Sequence, residues 1–205
     1  NIDFLKSKLK KKIKPIKFES NTLEKEIIIK HPNKKETNNL LQYTYTIGDF
    51  KEDNIARLLL LQSIIENPIY DFLRTKNQLG YLVKSIIRNT NYHYTINFKV
   101  QSEKPLDFIE DKMKEFVKLF TKVLNDMNSK DFNQWKKTLI EELSKEDVSL
   151  HDYFDKYRNE IISNTVYFNR INNIIKEVKK IEYSDLIEFY KKFINKDNLN
   201  IIKIN

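Results

Sequence analysis

The sequence contains no cysteine, only two glycines and only three histidines among its 205 residues. Without cysteine the chain forms no disulfide bond and has no thiol nucleophile, and this absence favours no particular compartment. The two isolated glycines, Gly48 and Gly80, exclude a glycine-rich phosphate-binding loop. No apolar run approaches the roughly 20 residues that a membrane-spanning helix needs, so we expect no transmembrane segment.

The three histidines are too far apart to form a zinc site together. A catalytic site of the His-x-x-Glu-His type needs two imidazoles one helical turn apart. His31, His93 and His151 lie in separate segments, and no two are within four residues of each other. We therefore predict no metal ligands in this segment.

The net charge of +8 is concentrated at the N-terminus. Residues 1–17 hold seven lysines and one aspartate, whereas the remainder is close to balance, with 30 basic and 28 acidic side chains. A nearly neutral body gives no electrostatic footprint for nucleic acid, so we do not expect nucleic-acid binding. A basic binding module in residues 1–17 stays open as an alternative.

Residues 2–14 have the spacing of a short amphipathic helix, with Ile2, Leu5, Leu9 and Ile13 near one face. We interpret it as the last helix of a preceding domain, with a membrane-surface helix as the alternative. The chain starts with Asn1 and shows no signal-peptide pattern, so we expect it to be a segment of a longer protein. The predicted division is a linker over 1–20 and one domain over 21–205.

Hydrophobic periodicity within 21–205 predicts an α+β domain. Strand patterns occur at 24–30, 41–47, 81–88, 94–100 and 199–204. We expect the first two strands to form an antiparallel hairpin, and a turn at 89–91 to join the third and fourth strands in a second one. A helix begins near Asp53, and Pro68 is expected to interrupt it. Helical spacing then follows from Pro105 to about residue 194. We predict an antiparallel sheet covered on one side by helices.

The chain is organised around the segment Leu73–Val83. Gly80 is expected to cap a helix in the left-handed conformation. Arg74 then lies on the last turns of that helix, and Tyr81 opens the following strand. The Arg74 guanidinium and the Tyr81 hydroxyl can then converge where helix and sheet meet, and this geometry suits the binding of a peptide backbone. In the alternative, Arg74 pairs with Asp71 or Glu66 and Tyr81 is an ordinary strand residue.

The segment Arg-Thr-Lys-Asn-Gln-Leu-Gly-Tyr at 74–81 resembles the Arg-Thr-x-x-Gln-Leu-Gly-Tyr motif of the insulinase-like (pitrilysin-type) zinc metallopeptidases. That motif belongs to the C-terminal half of these enzymes. Similar phrases occur in the same order at 67–72, 101–105, 157–162 and 187–191. The resemblance covers about residues 22–204 and implies the last domain of the C-terminal half.

The resemblance also implies a function. In this family the N-terminal half holds zinc and the C-terminal half completes the substrate chamber. Carried over, Arg74 binds a substrate carbonyl just beyond the scissile bond, and Tyr81 donates its phenol to the developing oxyanion. Tyr70 stands where phenylalanine is common and helps to form the wall of the adjacent pocket, and Asn77 replaces a usual acid on the solvent side.

The cofactor implied is zinc in the parent enzyme, with none in this segment. The implied partners are the N-terminal catalytic half of the same protein and peptide substrates, and a homodimer is a further alternative. A second function stays open, in which the parent is a catalytically inactive relative that acts as a scaffold or partner subunit.

Overall fold

The computed structural model describes residues 25–49, 51–90, 93–145, 149–162 and 169–205. The amphipathic pattern at 2–14 and the domain boundary at 20/21 lie outside the described residues. The predicted α+β class is confirmed: a five-stranded, mostly antiparallel sheet packs against helices.

The sheet has the strand order β1-β5-β2-β4-β3. Its strands are β1 (Glu26–Ile29), β2 (Asn39–Asp49), β3 (Leu82–Thr90), β4 (His93–Ser102) and β5 (Leu199–Ile204). β3 and β4 form the predicted antiparallel hairpin, and β2 pairs antiparallel with both β4 and β5. Among the described strands β1 and β3 lie at the edges, and β3 begins directly after the Arg74–Tyr81 segment.

The expected hairpin between the first two strands is wrong. β1 pairs parallel with β5, which lies between β1 and β2. The Nζ atom of Lys203 on β5 lies 2.6 Å from Oε1 of Glu26 on β1, an ion pair that the local sequence does not reveal. Pairing between residues so far apart in the chain depends on tertiary packing, which strand periodicity alone does not encode.

Alternation along the central strands places the core on one face of the sheet. Leu41, Tyr43, Tyr45 and Ile47 of β2 are at most 3% exposed, and the residues between them are only partly buried. Tyr94, Ile96, Phe98 and Val100 of β4 are likewise buried, and of the residues between them only Asn97, at 3% exposed, is buried as well. The helices cover this face, and the opposite face carries the partly buried and polar positions.

Six α-helices lie in the described part of the chain: α1 (Glu52–Tyr70), α2 (Leu106–Asn125), α3 (Ser129–Leu143), α4 (Leu150–Ile162), α5 (Arg170–Lys180) and α6 (Tyr183–Phe193). A π-helical turn (Asp71–Lys76) extends α1, and a 3-10 turn (Lys196–Asn198) precedes β5. α1 packs against β3, α3 and α5, which makes it the central helix of the domain.

The interruption expected at Pro68 is also wrong, because α1 continues through the proline. Proline removes one backbone donor from a helix interior. Burial of Ile64, Ile65 and Ile69 on either side of Pro68 keeps the helix in place, since each is at most 2% exposed. None of the described helices is long and apolar enough to cross a membrane.

Candidate functional site

The site is the corner at which α1 ends and β3 begins. The π-helical turn Asp71–Lys76 widens the last turn of the helix, with the Asn77 N–H donating to the Phe72 carbonyl five residues earlier (3.2 Å). The Leu79 N–H donates to the Leu73 carbonyl at 3.0 Å. The side chains of Leu73 and Leu79 are fully buried, so they anchor both ends of the corner in the core.

Asn77 closes the turn, contrary to the expectation that it faces solvent. It is partly buried, and its Nδ2 donates to the same Phe72 carbonyl at 2.8 Å. A carboxylate at this position has no hydrogen to donate to that carbonyl. The role of Asn77 was missed because a single sequence gives no signal for a π-helical turn.

Gly80 is required for close approach rather than for capping the helix. The left-handed residue that follows the turn is Gln78, with φ 49°. Gly80 has φ 137°, and a Cβ there would lie 2.3 Å from the Gln101 carbonyl oxygen on the neighbouring strand. Only glycine fits this position without moving β4. The close approach of Gly80 to β4 thereby sets the position of the next residue, Tyr81.

The corner brings Tyr70, Arg74 and Tyr81 together. The guanidinium carbon of Arg74 lies 4.8 Å from the ring centre of Tyr70 and 5.4 Å from that of Tyr81. Tyr70 is the last residue of α1, Arg74 lies in the π-helical turn, and Tyr81 comes immediately before β3. Each cation–π contact contributes about 0.5–1 kcal/mol at an exposed site, so the two rings restrict the guanidinium.

No described carboxylate neutralises Arg74, so the alternative pairing with Asp71 or Glu66 does not occur. Tyr81 is 87% exposed and Tyr70 is 40% exposed, which leaves both tyrosines accessible to a ligand. The N–H groups of a guanidinium point outward in its own plane. A contact with a ring does not use these donors, so they remain available to an oxygen acceptor that lies in that plane. The corner therefore presents a cationic donor beside a phenol.

Among the described residues there is no group of three or more side chains suited to a metal ion. His31 lies in a turn, where its Nδ1 contacts the Asn33 N–H at 3.2 Å. His93 begins β4, and His151 lies in the first turn of α4, 3.4 Å from Asp155. The described histidine, aspartate and glutamate side chains therefore do not fit a zinc ion.

A family model described as "PQQ synthase PqqF-like, C-terminal lobe domain 4" matches residues 60–158. Insulin-degrading enzyme of Drosophila melanogaster is 33% identical over 138 residues, which are 67% of this chain and 14% of the relative. The chain belongs to the insulinase-like metallopeptidase family. A putative zinc protease of Schizosaccharomyces pombe is another relative of this insulinase-like domain, 28% identical over 165 residues, 80% of this chain and 17% of the relative.

Solved structures show the same fold. Pitrilysin matches with a TM-score of 0.74 at 20% identity, covering 86% of this chain and 19% of that one. An inactive peptidase domain from Pseudomonas fluorescens matches with a TM-score of 0.65 at 15% identity, covering 87% and 42%. The matched part of this chain spans about a seventh of the length of the Drosophila relative.

Proposed function

We propose that this chain is the last domain of the C-terminal half of a zinc metalloendopeptidase that degrades peptides. In this proposal residues 21–205 form the domain and residues 1–20 link it to a preceding one. The domain closes the substrate chamber against the N-terminal half of the same protein. Zinc and its ligands belong to that half, because the described part of this chain offers no metal site.

The observation that carries the proposal is the Arg74 guanidinium, held near two tyrosine rings without a described counter-ion. A cation in this state favours an oxygen acceptor from outside the domain. A peptide carbonyl meets that requirement, and the flanking rings hold the guanidinium before the peptide arrives. Arg74 therefore positions the substrate just beyond the scissile bond.

Tyr81 is assigned to the reacting carbonyl. Its phenol is a donor on a highly exposed side chain beside Arg74. A donor fixed in place before negative charge develops stabilises the oxyanion without reorganisation during the reaction. Tyr70 forms part of the wall for the residue that follows the cut.

The test uses the full-length parent enzyme. Tyr81→Phe keeps the ring and removes the hydroxyl, so turnover should fall about a hundredfold to a thousandfold. Arg74→Ala should raise KM as well as lower kcat, because it removes positioning. Tyr70→Phe is the matched control and should retain near-normal turnover, since only the flanking ring is needed.

Zinc content should be unchanged in all three variants, because the three residues lie outside the metal-binding half. Normal turnover of Tyr81→Phe on several peptides would show that the phenol is only structural. This 205-residue chain alone should not hydrolyse peptides, and chelator-sensitive cleavage by the pure chain would contradict the placement of zinc.

A second candidate function is that of an inactive scaffold or partner subunit. The fold match to a peptidase domain described as inactive favours it, since the same fold occurs there in a domain without catalysis. An inverted zinc motif in the parent's N-terminal half would support the enzyme, whereas its absence would support the scaffold.

A further inference from the structure

Two lysines lie directly opposite each other on the face of the sheet away from the core. Lys84 of β3 is the cross-strand partner of Lys99 of β4, and Gln42 of β2 is the next residue in the same row. Lys84 is exposed and Lys99 is partly buried. Directly opposed residues of antiparallel strands have Cβ atoms about 4.5–5.5 Å apart, so both ammonium groups can reach one carboxylate.

The residues around this lysine pair carry no negative charge. The neighbouring cross-strand rows on the same face consist of Leu82, Gln101 and Leu40 on one side and Ile86, Asn97 and Thr44 on the other. Neither lysine side chain has a described carboxylate partner or hydrogen bond. Like charges in opposed positions are unfavourable, so the pair lowers the stability of the fold. Unfavourable local arrangements of this kind are expected at functional sites.

A network of side-chain hydrogen bonds orders the sheet surface next to the lysine pair. Asn97 is 3% exposed, and its Oδ1 accepts hydrogen bonds from Thr44 Oγ1 at 2.8 Å and from Gln42 Nε2 at 3.2 Å. Its Nδ2 donates to the Ile86 carbonyl at 3.2 Å. These bonds connect β2, β4 and β3, so the strands that carry the two lysines are ordered before a ligand binds.

The lysine pair lies close to the corner that carries Arg74 and Tyr81. Lys84 follows Tyr81 by three residues, and a strand rises about 3.3 Å per residue, so their Cα atoms are about 10 Å apart. An extended peptide spans this distance with about three residues. A peptide that is bound at the corner and continues along β3 can therefore bring a side chain to the two ammonium groups.

We propose that Lys84 and Lys99 form an anion subsite, which binds an aspartate or glutamate side chain of the peptide about three residues from the reacting carbonyl. The subsite rests on the proposed function, because that function makes a peptide the occupant. The bound carboxylate accepts a hydrogen bond from each ammonium group and offsets their mutual repulsion. The parent enzyme therefore prefers acidic peptides to otherwise identical neutral ones.

The test uses the full-length parent and peptides in which a single glutamate is moved through the four residues on each side of the cut. Each peptide is compared with its glutamine counterpart, which has nearly the same size and no charge. Lys84→Gln combined with Lys99→Gln removes the subsite. Arg88→Gln is the matched control, because Arg88 lies on the same strand opposite the uncharged Thr95. Cleavage kinetics are measured, and fluorescence anisotropy measures binding of the labelled peptides with chelator present.

At one position glutamate should bind about threefold to tenfold more tightly than glutamine, and the double variant should lose this preference. The preference should appear in KM with kcat little changed, since the contact is equally strong in the ground state and the transition state. It should also shrink in high salt. Thermal unfolding checks that the double variant remains folded.

Three outcomes would overturn the subsite: no position prefers glutamate, the preference survives in the double variant, or Arg88→Gln reduces it equally. The last outcome would assign the preference to a diffuse positive potential. The anisotropy measurement does not depend on catalysis. A lysine-dependent glutamate preference in a parent that cleaves no peptide would therefore support the subsite and contradict the peptidase activity.

Discussion

The Nζ atom of Lys203 lies 2.6 Å from Oε2 of Glu110 in the domain interior. Both side chains are 11% exposed. Lys203 on β5 also pairs with Glu26 on β1, and Glu110 on α2 accepts a hydrogen bond from the Tyr43 hydroxyl at 3.4 Å. One buried lysine thus connects the edge strand, the centre of the sheet and the covering helix.

Lys203→Met should destabilise the domain by about 3 kcal/mol, because it leaves the buried Glu110 carboxylate without its interior partner. Lys114→Met is the matched control, since Lys114 contacts the same carboxylate at 2.8 Å from an exposed position. The control should cost less than about 1 kcal/mol. Urea unfolding of both variants measures the difference, and equal losses would show that Lys203 has no special role.

Acid should weaken the domain through Glu110. Burial opposes its ionisation, but Lys114 and Lys203 hold the pKa of Glu110 below its ordinary value of 4.5. A carboxyl group whose pKa is lower in the folded state stabilises the fold above its unfolded pKa. That stabilisation is lost as the pH falls from about 4.5 through the folded pKa.

Glu110→Gln should therefore show a shallower loss of stability than the natural chain between about pH 5 and pH 3. The measurement is the urea midpoint at several pH values. Parallel curves for the two proteins would indicate that other carboxylates dominate acid unfolding.

Gly80→Ala should destabilise the domain by about 2 kcal/mol or more, through both backbone strain and a clash with the Gln101 carbonyl. Gly48→Ala separates the two effects. Gly48 also has a positive φ, 87°, but a Cβ there would meet only the Phe193 ring at 3.9 Å. Thermal unfolding should show a smaller loss for Gly48→Ala, and the reverse order would contradict the close approach at Gly80.

Lys84→Glu should stabilise the domain. Lys84 on β3 lies directly opposite Lys99 on β4, and neither has a described carboxylate partner. Like charges in opposed positions are unfavourable, so the reversal should add about 0.2–1 kcal/mol. Arg88→Glu is the control, because Arg88 lies on the same strand as Lys84 but is opposite the uncharged Thr95 of β4. It should stabilise the domain less than Lys84→Glu does. The difference should shrink in high salt, and a salt-independent difference would show that charge is not its cause.

Much of the fold could be predicted from the sequence because the apolar residues of its strands and helices recur at regular spacings. The alternation in β2 and β4 and the helical spacing of α2 predicted those elements, and the short turn expected at 89–91 predicted the antiparallel pairing of β3 with β4 correctly. The predicted hairpin of the first two strands was wrong. The connection from β1 to β2 is longer than that from β3 to β4, and β5 lies between β1 and β2 and pairs with both. The predicted interruption of α1 at Pro68 was wrong because burial of the surrounding side chains outweighs the local effect of the proline.

The candidate site was predicted in part for a similar reason. The spacing of Arg74, Gly80 and Tyr81 indicated a helix end followed by a strand, and the structure brings Arg74 beside the Tyr81 ring. The sequence did not indicate the π-helical turn or the side-chain bond from Asn77 that closes it. The catalytic roles of these residues remain proposals for the parent enzyme.

The sequence by itself determined the absence of thiol chemistry, the lack of a clustered-histidine zinc motif and the amphipathic faces of strands and helices. These follow from residue types and short spacings, which act within a few residues. Tertiary structure alone decided that β5 lies between β1 and β2, that Gly80 approaches Gln101, and that Arg74 lies near two aromatic rings. Such contacts join distant parts of the chain, and their free energy depends on what the whole core buries.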